Sequence, residues 1–221
     1  MILAHPQMQG ILELSNQWVS TLVVEEPNFY RRFLLDLYGQ LEGEEGQLVL
    51  SEKNTILSIR ANVELLDNCL QFDMNRKMLL GKIGTVMERT AVSESFFLRT
   101  SEMICQLESY MDELAFSLPC DVIYEKCTVA GLIKAMGIRV RDDYEDPLVR
   151  LLDYMELVRE FDKDKLFIIV GLRSLFSSEA LARFAETVVG HGYKVLLLDS
   201  VEGDKFPLEQ RLTIDKDLCE F

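Results

Sequence analysis

Two uninterrupted apolar runs, LFIIV at Leu166–Val170 and KVLLLD at Lys194–Asp199, restrict this chain more than any other feature. A half-buried strand alternates apolar and polar residues; a run without alternation fits a strand covered on both faces, the habit of parallel sheets. Between the runs Ser177 is placed to cap a helix and Gly190 to end it, so the segment reads as a right-handed βαβ unit. The first sixty residues add strand signals (ILEL, TLVV, QLVLSE, ILSIR) around one helical stretch, FYRRFLLDLYGQL. In that helix Phe29, Phe33, Leu34 and Leu37 form an apolar stripe, and the charged, glycine-flanked run Glu42–Gly46 reads as the loop after it. Asp146 and Pro147 open a further helix with Leu148, Leu151, Leu152, Met155 and Val158 on one side. The expected class is α/β.

From about Ala61 to Ala135 the pattern becomes helical. Phe97, Thr100, Ile104, Leu107, Met111, Leu114 and Leu118 keep a three-and-four spacing, and Leu79, Ile83, Val86 and Thr90 give the preceding helix a matching face. We therefore expect two long antiparallel helices packed on each other within the insertion, the second ended by Pro119. Thr128 then caps VAGLIKAM, Gly137 terminates it in the left-handed conformation, and IRV at 138–140 reads as a short strand. The expected division is a discontinuous α/β head, 1–60 with 138–221, carrying an all-helical leg inserted at 61–137.

Several chemistries are excluded by what the chain lacks. Five cysteines with no CxxC pair, and only His5 and His191 as imidazoles, suggest neither a disulfide framework nor a zinc site. His5 reads as a turn residue and His191 as a loop residue. A nucleotide site of the GxxxxGK[ST] kind is missing: Gly81-Lys82 is followed by Ile83, with Arg76 where the first glycine belongs, and lies in a helical stretch. No Asp or Glu has Lys two residues on, the spacing common in metal-dependent nuclease strands. The N-terminal MILAHPQMQG lacks a basic region followed by a long apolar run, and no stretch approaches the roughly 20 apolar residues of a membrane span, so a cytoplasmic protein without membrane contact is expected. The net charge of −14 repels nucleic acid as a whole. Placement counters the total, because Arg76, Lys77, Lys82 and Arg89 stand against Glu88 alone between Met74 and Val92.

LVVEEPNFYRRFLLDLYGQLEGEEGQLVLSE, FDMNRKMLLGKI, GLIKAMGI and the pair LFIIVGLRSLF and KVLLLD follow one another in an order that resembles the small adaptation protein family of subtype II-A CRISPR-Cas systems, from end to end of the chain. The Glu26-Pro27 turn and the FDMN motif at Phe72–Asn75 are the most specific pieces. The resemblance implies an α/β head with P-loop-ATPase-like topology but no working nucleotide site, an inserted helical leg, and a homotetrameric ring. It implies a non-enzymatic protein that binds calcium, encloses linear double-stranded DNA from its free ends, and serves spacer acquisition beside the integrase proteins and the RNA-guided effector nuclease.

Under that resemblance Arg76, Lys77, Lys82 and Arg89 are the leading DNA contacts, with Lys82 and Arg89 on one helix face, and Arg31 and Arg32 on the first helix are secondary. Contact through phosphates alone suits a protein indifferent to base sequence. The family's acidic residues before the motif matched by GLIKAMGI fall here on Asp121 and Glu125, the expected calcium ligands, while Cys120 and Lys126 stand where further acid belongs. Asp112, Glu113 and the run Asp142, Asp143, Glu145 and Asp146 are the other acidic joints; helix-end and loop charge is the better explanation of each taken singly. The competing function is a nucleotide-binding or hydrolysing protein with the helical insertion as a regulatory arm.

Overall fold

The computed structural model describes residues 1–221. In chain order it begins β1 (Ile2–Ala4), β2 (Leu12–Glu13), β3 (Val19–Val24), α1 (Pro27–Glu42), β4 (Val49–Glu52), β5 (Thr55–Leu57), α2 (Ile59–Asn62) and β6 (Val63–Leu66). Then come α3 (Lys77–Ala91), α4 (Phe97–Phe116), α5 (Val129–Met136), α6 (Pro147–Phe161), β7 (Leu166–Val170), a short 3-10 turn at Leu172–Ser174, α7 (Ser178–His191), β8 (Lys194–Asp199) and β9 (Glu209–Ile214). The chain separates into two compact units, Met1–Phe72 with Tyr144–Phe221, and Asp73–Asp143. No helix is long and apolar enough to cross a membrane.

The first unit is mixed α/β with two sheets. One is parallel, in the order β6-β7-β8-β3-β9; the other is antiparallel, β2-β1-β4-β5. The apolar runs form β7 and β8, paired in parallel from Leu166↔Lys194 to Val170↔Leu198. One face of the parallel sheet supplies Leu22, Val24, Leu166, Ile168, Leu196 and Leu198 to a core shared with Leu3, Leu12 and Leu50 of the antiparallel sheet and Phe29, Phe33 and Leu37 of α1. Each such side chain, fully buried, stabilises the fold by about 1.5–3 kcal/mol. On the opposite face α7 packs against β3 and β8, and Tyr154 of α6 donates its hydroxyl to Glu64 of β6 at 2.8 Å, both residues buried.

Two expectations for this unit change. The sequence boundary at 60/61 assigned β6 to the helical insertion, yet Val63–Leu66 is an edge strand of the parallel sheet, paired from Val63↔Leu166 to Leu66↔Ile169. Its polar second residue, Glu64, interrupts the apolar run that marks β7 and β8, and the tyrosine from α6 compensates for it. The units accordingly meet at Phe72/Asp73 and Asp143/Tyr144, not at 60/61 and 137/138. α7 passes Gly190 and ends at Gly192, whose φ of 71° supplies the left-handed turn, so His191 is the last helical residue and not a loop residue. His5 opens a turn as expected, its carbonyl accepting from Met8 N–H at 2.9 Å, and its side chain is buried: Nε2 meets Asp36 at 3.1 Å, and the ring lies 5.1 Å from that of Phe29.

The second unit holds α3, α4 and α5. Thr128 caps α5 through Gly131 N–H, and Gly137 ends it at φ 60°. α5 packs on α3, where buried Gly84 faces Ile133. The IRV segment is not a strand, because the backbone of Val140 is occupied by a side chain: its N–H donates to Asn75 Oδ1 at 2.7 Å, and Asn75 Nδ2 donates to its carbonyl at 3.1 Å. The heptad seam also departs from expectation. α4 ends at Phe116, short of Pro119, and buries none of its residues: Phe97 is 54%, Leu107 38%, Met111 41% and Leu114 44% exposed. Packing inside the unit does not cover this stripe.

Candidate nucleic-acid interface

In a parallel sheet the strand ends that open onto helix N-termini are the usual place for phosphate, because bare N–H groups there converge on an anion. The turn from β3 to α1 is filled by its own carboxylate. Glu26 accepts from Asn28 N–H at 3.0 Å and from Phe29 N–H at 2.7 Å, and Pro27 contributes no N–H at all. These backbone bonds, foremost that of Asn28, hold the Glu26 carboxyl below the usual range. The N-terminus of α1 thus carries a negative charge where a phosphate would need an empty cradle.

Cations concentrate instead on α3. Arg76 is its N-cap and Lys77 its first residue, followed by Lys82 and Arg89; Lys77 and Arg89 are exposed, Arg76 and Lys82 half-buried. Leu79 and Gly84 are the buried positions of the helix, which leaves the basic residues toward its outer surface. At about 100° per residue, the seven-residue step from Lys82 to Arg89 returns to within about 20° of the same face, and it rises about 10.5 Å along the axis. That rise spans about three 3.4 Å steps of one DNA strand, so the pair can contact separate phosphates on one strand. Arg31 and Arg32 belong to the other unit. Both are exposed on α1, where Arg31 donates to Asn28 Oδ1 at 3.1 Å and Arg32 to Gln7 Oε1 at 3.2 Å.

The expected calcium ligands Asp121 and Glu125 are exposed in the irregular segment between α4 and α5. Their acidic neighbours are engaged in local structure. Tyr124 donates its hydroxyl to Asp112 Oδ1 at 2.5 Å, and that bond, with burial second, pushes the phenol up to about 12. Glu108 accepts from Cys127 N–H at 3.2 Å. In the second acidic joint Arg141 grips Asp143, lowering its carboxyl, and Asp146 caps α6 through Leu148 N–H at 2.8 Å. No group of three or more His, Cys, Asp or Glu side chains is gathered to hold a metal ion.

The family model described as CRISPR-associated protein (Cas_Csn2) matches residues 40–218. The chain belongs to this family. Among solved structures, Stu0660 of Streptococcus thermophilus superposes with a TM-score of 0.60 at 9% identity, over 97% of this chain and 75% of that one. That likeness is one of fold. A putative ABC transporter ATP-binding protein from Pyrococcus furiosus aligns over 96% of this chain and 97% of its own at 10% identity, but its TM-score of 0.39 carries no argument.

For this Csn2-family chain, sequence reasoning located the basic helix and missed two sets of side chains. One is Asn75, inside the quoted FDMN motif, whose spacing to Val140 is visible only in the fold. The other is a buried ionic cluster of Arg173, Asp199, Glu209 and Arg211, drawn from three separate elements. Asp199 ending an apolar strand was the one local signal for it.

Proposed function

We propose that this chain is a non-enzymatic subunit of a homotetrameric ring that captures free ends of linear double-stranded DNA during spacer acquisition, working beside the CRISPR integrase proteins and the RNA-guided effector nuclease. Membership of the Csn2 family supports a role in CRISPR machinery. The observation that carries the DNA reading is α3, a helix with Arg76, Lys77, Lys82 and Arg89 in a chain of net charge −14. A basic lining inside a closed ring tolerates an acidic exterior, since the duplex meets only the wall it threads. The bare apolar stripe of α4 supports assembly, because a soluble single chain seldom leaves such a stripe in water. The parallel sheet is consistent with a P-loop-like head, and the Glu26 carboxylate at α1 favours one without nucleotide. Calcium enters this reading as an ion whose remaining ligands must be supplied on assembly around Asp121 and Glu125.

The test is mass in solution with and without calcium, repeated with a short blunt duplex and with a closed circle of the same sequence. A tetramer that gains the linear duplex and ignores the circle supports the proposal. A chain that stays monomeric under every condition, or binds both DNA forms alike, refutes it. Charge reversal of Lys82 and Arg89 together removes two phosphate contacts per engaged subunit. The slope of log affinity against log salt should shrink by about 1.8 for each such subunit.

A further inference from the structure

The connection from β8 to β9 is short. Parallel strands usually need a dozen or more residues and a helix between them, whereas Ser200–Leu208 passes β3 without regular structure, from Asp199, level with Val23, back to Glu209, level with Val19. Residues 200–205 are exposed, and Leu208 takes the left-handed conformation at φ 61°, which a branched side chain resists. Two arginines hold the segment by its carbonyls: Arg173 donates to Asp204 O at 2.6 Å and Arg211 to Gly203 O at 2.8 Å. Gly203 lies flush on Arg173, since a Cβ there would sit 3.2 Å from Nη2. Glu209, whose side chain is fully buried, binds both arginines and accepts from Phe206 N–H at 3.2 Å, and the Phe206 ring lies under the Arg173 guanidinium.

Within this patch three buried polar atoms have no hydrogen-bond partner: Thr21 Oγ1, Arg173 Nε and Asp199 Oδ2. Asp199 is 4% exposed. A carboxylate so placed has given up water and found no full replacement. We propose that Ser200–Leu208 is a proton-gated strap, closed while Asp199 is protonated and loosened when Asp199 ionises. Two effects act in the same direction. Loosening admits water to the trapped charge, and an ionised Asp199 competes with the Asp204 carbonyl for the guanidinium that anchors the strap.

The titratable and charged groups facing Asp199 come from every neighbouring element: Arg173 after β7, Glu209 and Arg211 on β9, Tyr30 on α1 and Cys69 after β6. Burial dominates among these influences. It raises the Asp199 carboxyl from 3.8 to about 6, Glu209 adds to the rise, and Arg173 and Arg211 only partly oppose it. By linkage, a rise of about two units lets ionisation shift the balance between closed and loosened strap by up to about 100-fold.

Hydrogen exchange on the intact chain tests this, with rates corrected for intrinsic chemistry from about pH 5 to about pH 8, a range that brackets the raised carboxyl. Protection of the Phe206 and Glu209 amides should fall as pH rises, by about 10-fold across this range, while the amides further along β9 keep theirs. In Asp199→Asn, an isosteric change that removes the buried charge, protection at Phe206 and Glu209 should stay high and flat. The proposal is overturned if the wild-type strap amides show no pH dependence. It is overturned equally if Asp199→Asn shows the same fall, or if the β9 ladder loses protection in step. Since the first and last outcomes need only the wild-type chain, a variant that folded poorly would not shield the idea.

Discussion

Replacing Asn75 with alanine probes a side chain that ties the two ends of the helical unit together. Asn75 and Val140 are 65 residues apart, and both polar atoms of the side-chain amide are used: Oδ1 receives the Val140 N–H at 2.7 Å and Nδ2 donates to its carbonyl at 3.1 Å. The pair imitates one rung of a sheet where no strand exists. Each bond contributes about 0.5–1.5 kcal/mol net, so losing both costs about 2 kcal/mol, and partial exposure of the site keeps the cost from the higher figures of a sealed core. With a urea slope of about 2 kcal/mol per molar, the unfolding midpoint should drop by about 1 M. Two probes locate the loss. The only tryptophan, Trp18, reports the α/β unit, whereas far-ultraviolet circular dichroism also weighs α3, α4 and α5. The helical signal should shift at least as far as the tryptophan signal. Asn75→Asp sharpens the test, because it keeps the acceptor but turns a carboxylate oxygen toward the Val140 carbonyl. An unchanged midpoint in Asn75→Ala, or an Asn75→Asp chain as stable as the parent, refutes the assignment.

Tyr154→Phe keeps the ring that lies 4.8 Å from Phe72 but deletes the hydroxyl bonded to Glu64, and should destabilise the α/β unit by about 2 kcal/mol in urea unfolding. No measurable loss there would mean the buried bond contributes nothing. Asp199 makes stability depend on pH in a direction opposite to that of an ordinary salt-bridged carboxylate. Its folded value is raised, so the neutral form is favoured by folding; that contribution is complete below about 3.8 and is lost as pH climbs through about 6. Asp199→Asn should therefore match the wild type near pH 4 and exceed it by up to about 3 kcal/mol near pH 8, as thermal unfolding across pH would reveal. A variant less stable than wild type at pH 8 would reverse the sign and discard the reading.

The parts of this protein that were legible in its sequence are those where each residue's neighbours along the chain decide its state. β7, β8, α1, α6 and the caps at Thr128, Asp146 and Ser177 stand where the sequence put them, because apolar periodicity and a side-chain oxygen next to its own helix are local properties. β6 was hidden by Glu64, whose burial is acceptable only because Tyr154, 90 residues later, arrives to bond it. The seam on α4 shows the converse: its spacing is plain to see, yet the packing of the unit leaves it exposed.

By itself the sequence determined an α/β sheet protein with a helical insertion, a basic helix and no phosphate loop, since hydrophobic period, charge and glycine placement are written in consecutive residues. Only the tertiary structure decided that Glu26 fills its own helix end, that Asn75 stands in for a strand, and that Arg173, Asp199 and Glu209 share one buried patch. Those are meetings of polar groups, most of them far apart in the chain. Their energies depend on distance and on exclusion of water, neither of which has a signature in the order of residues.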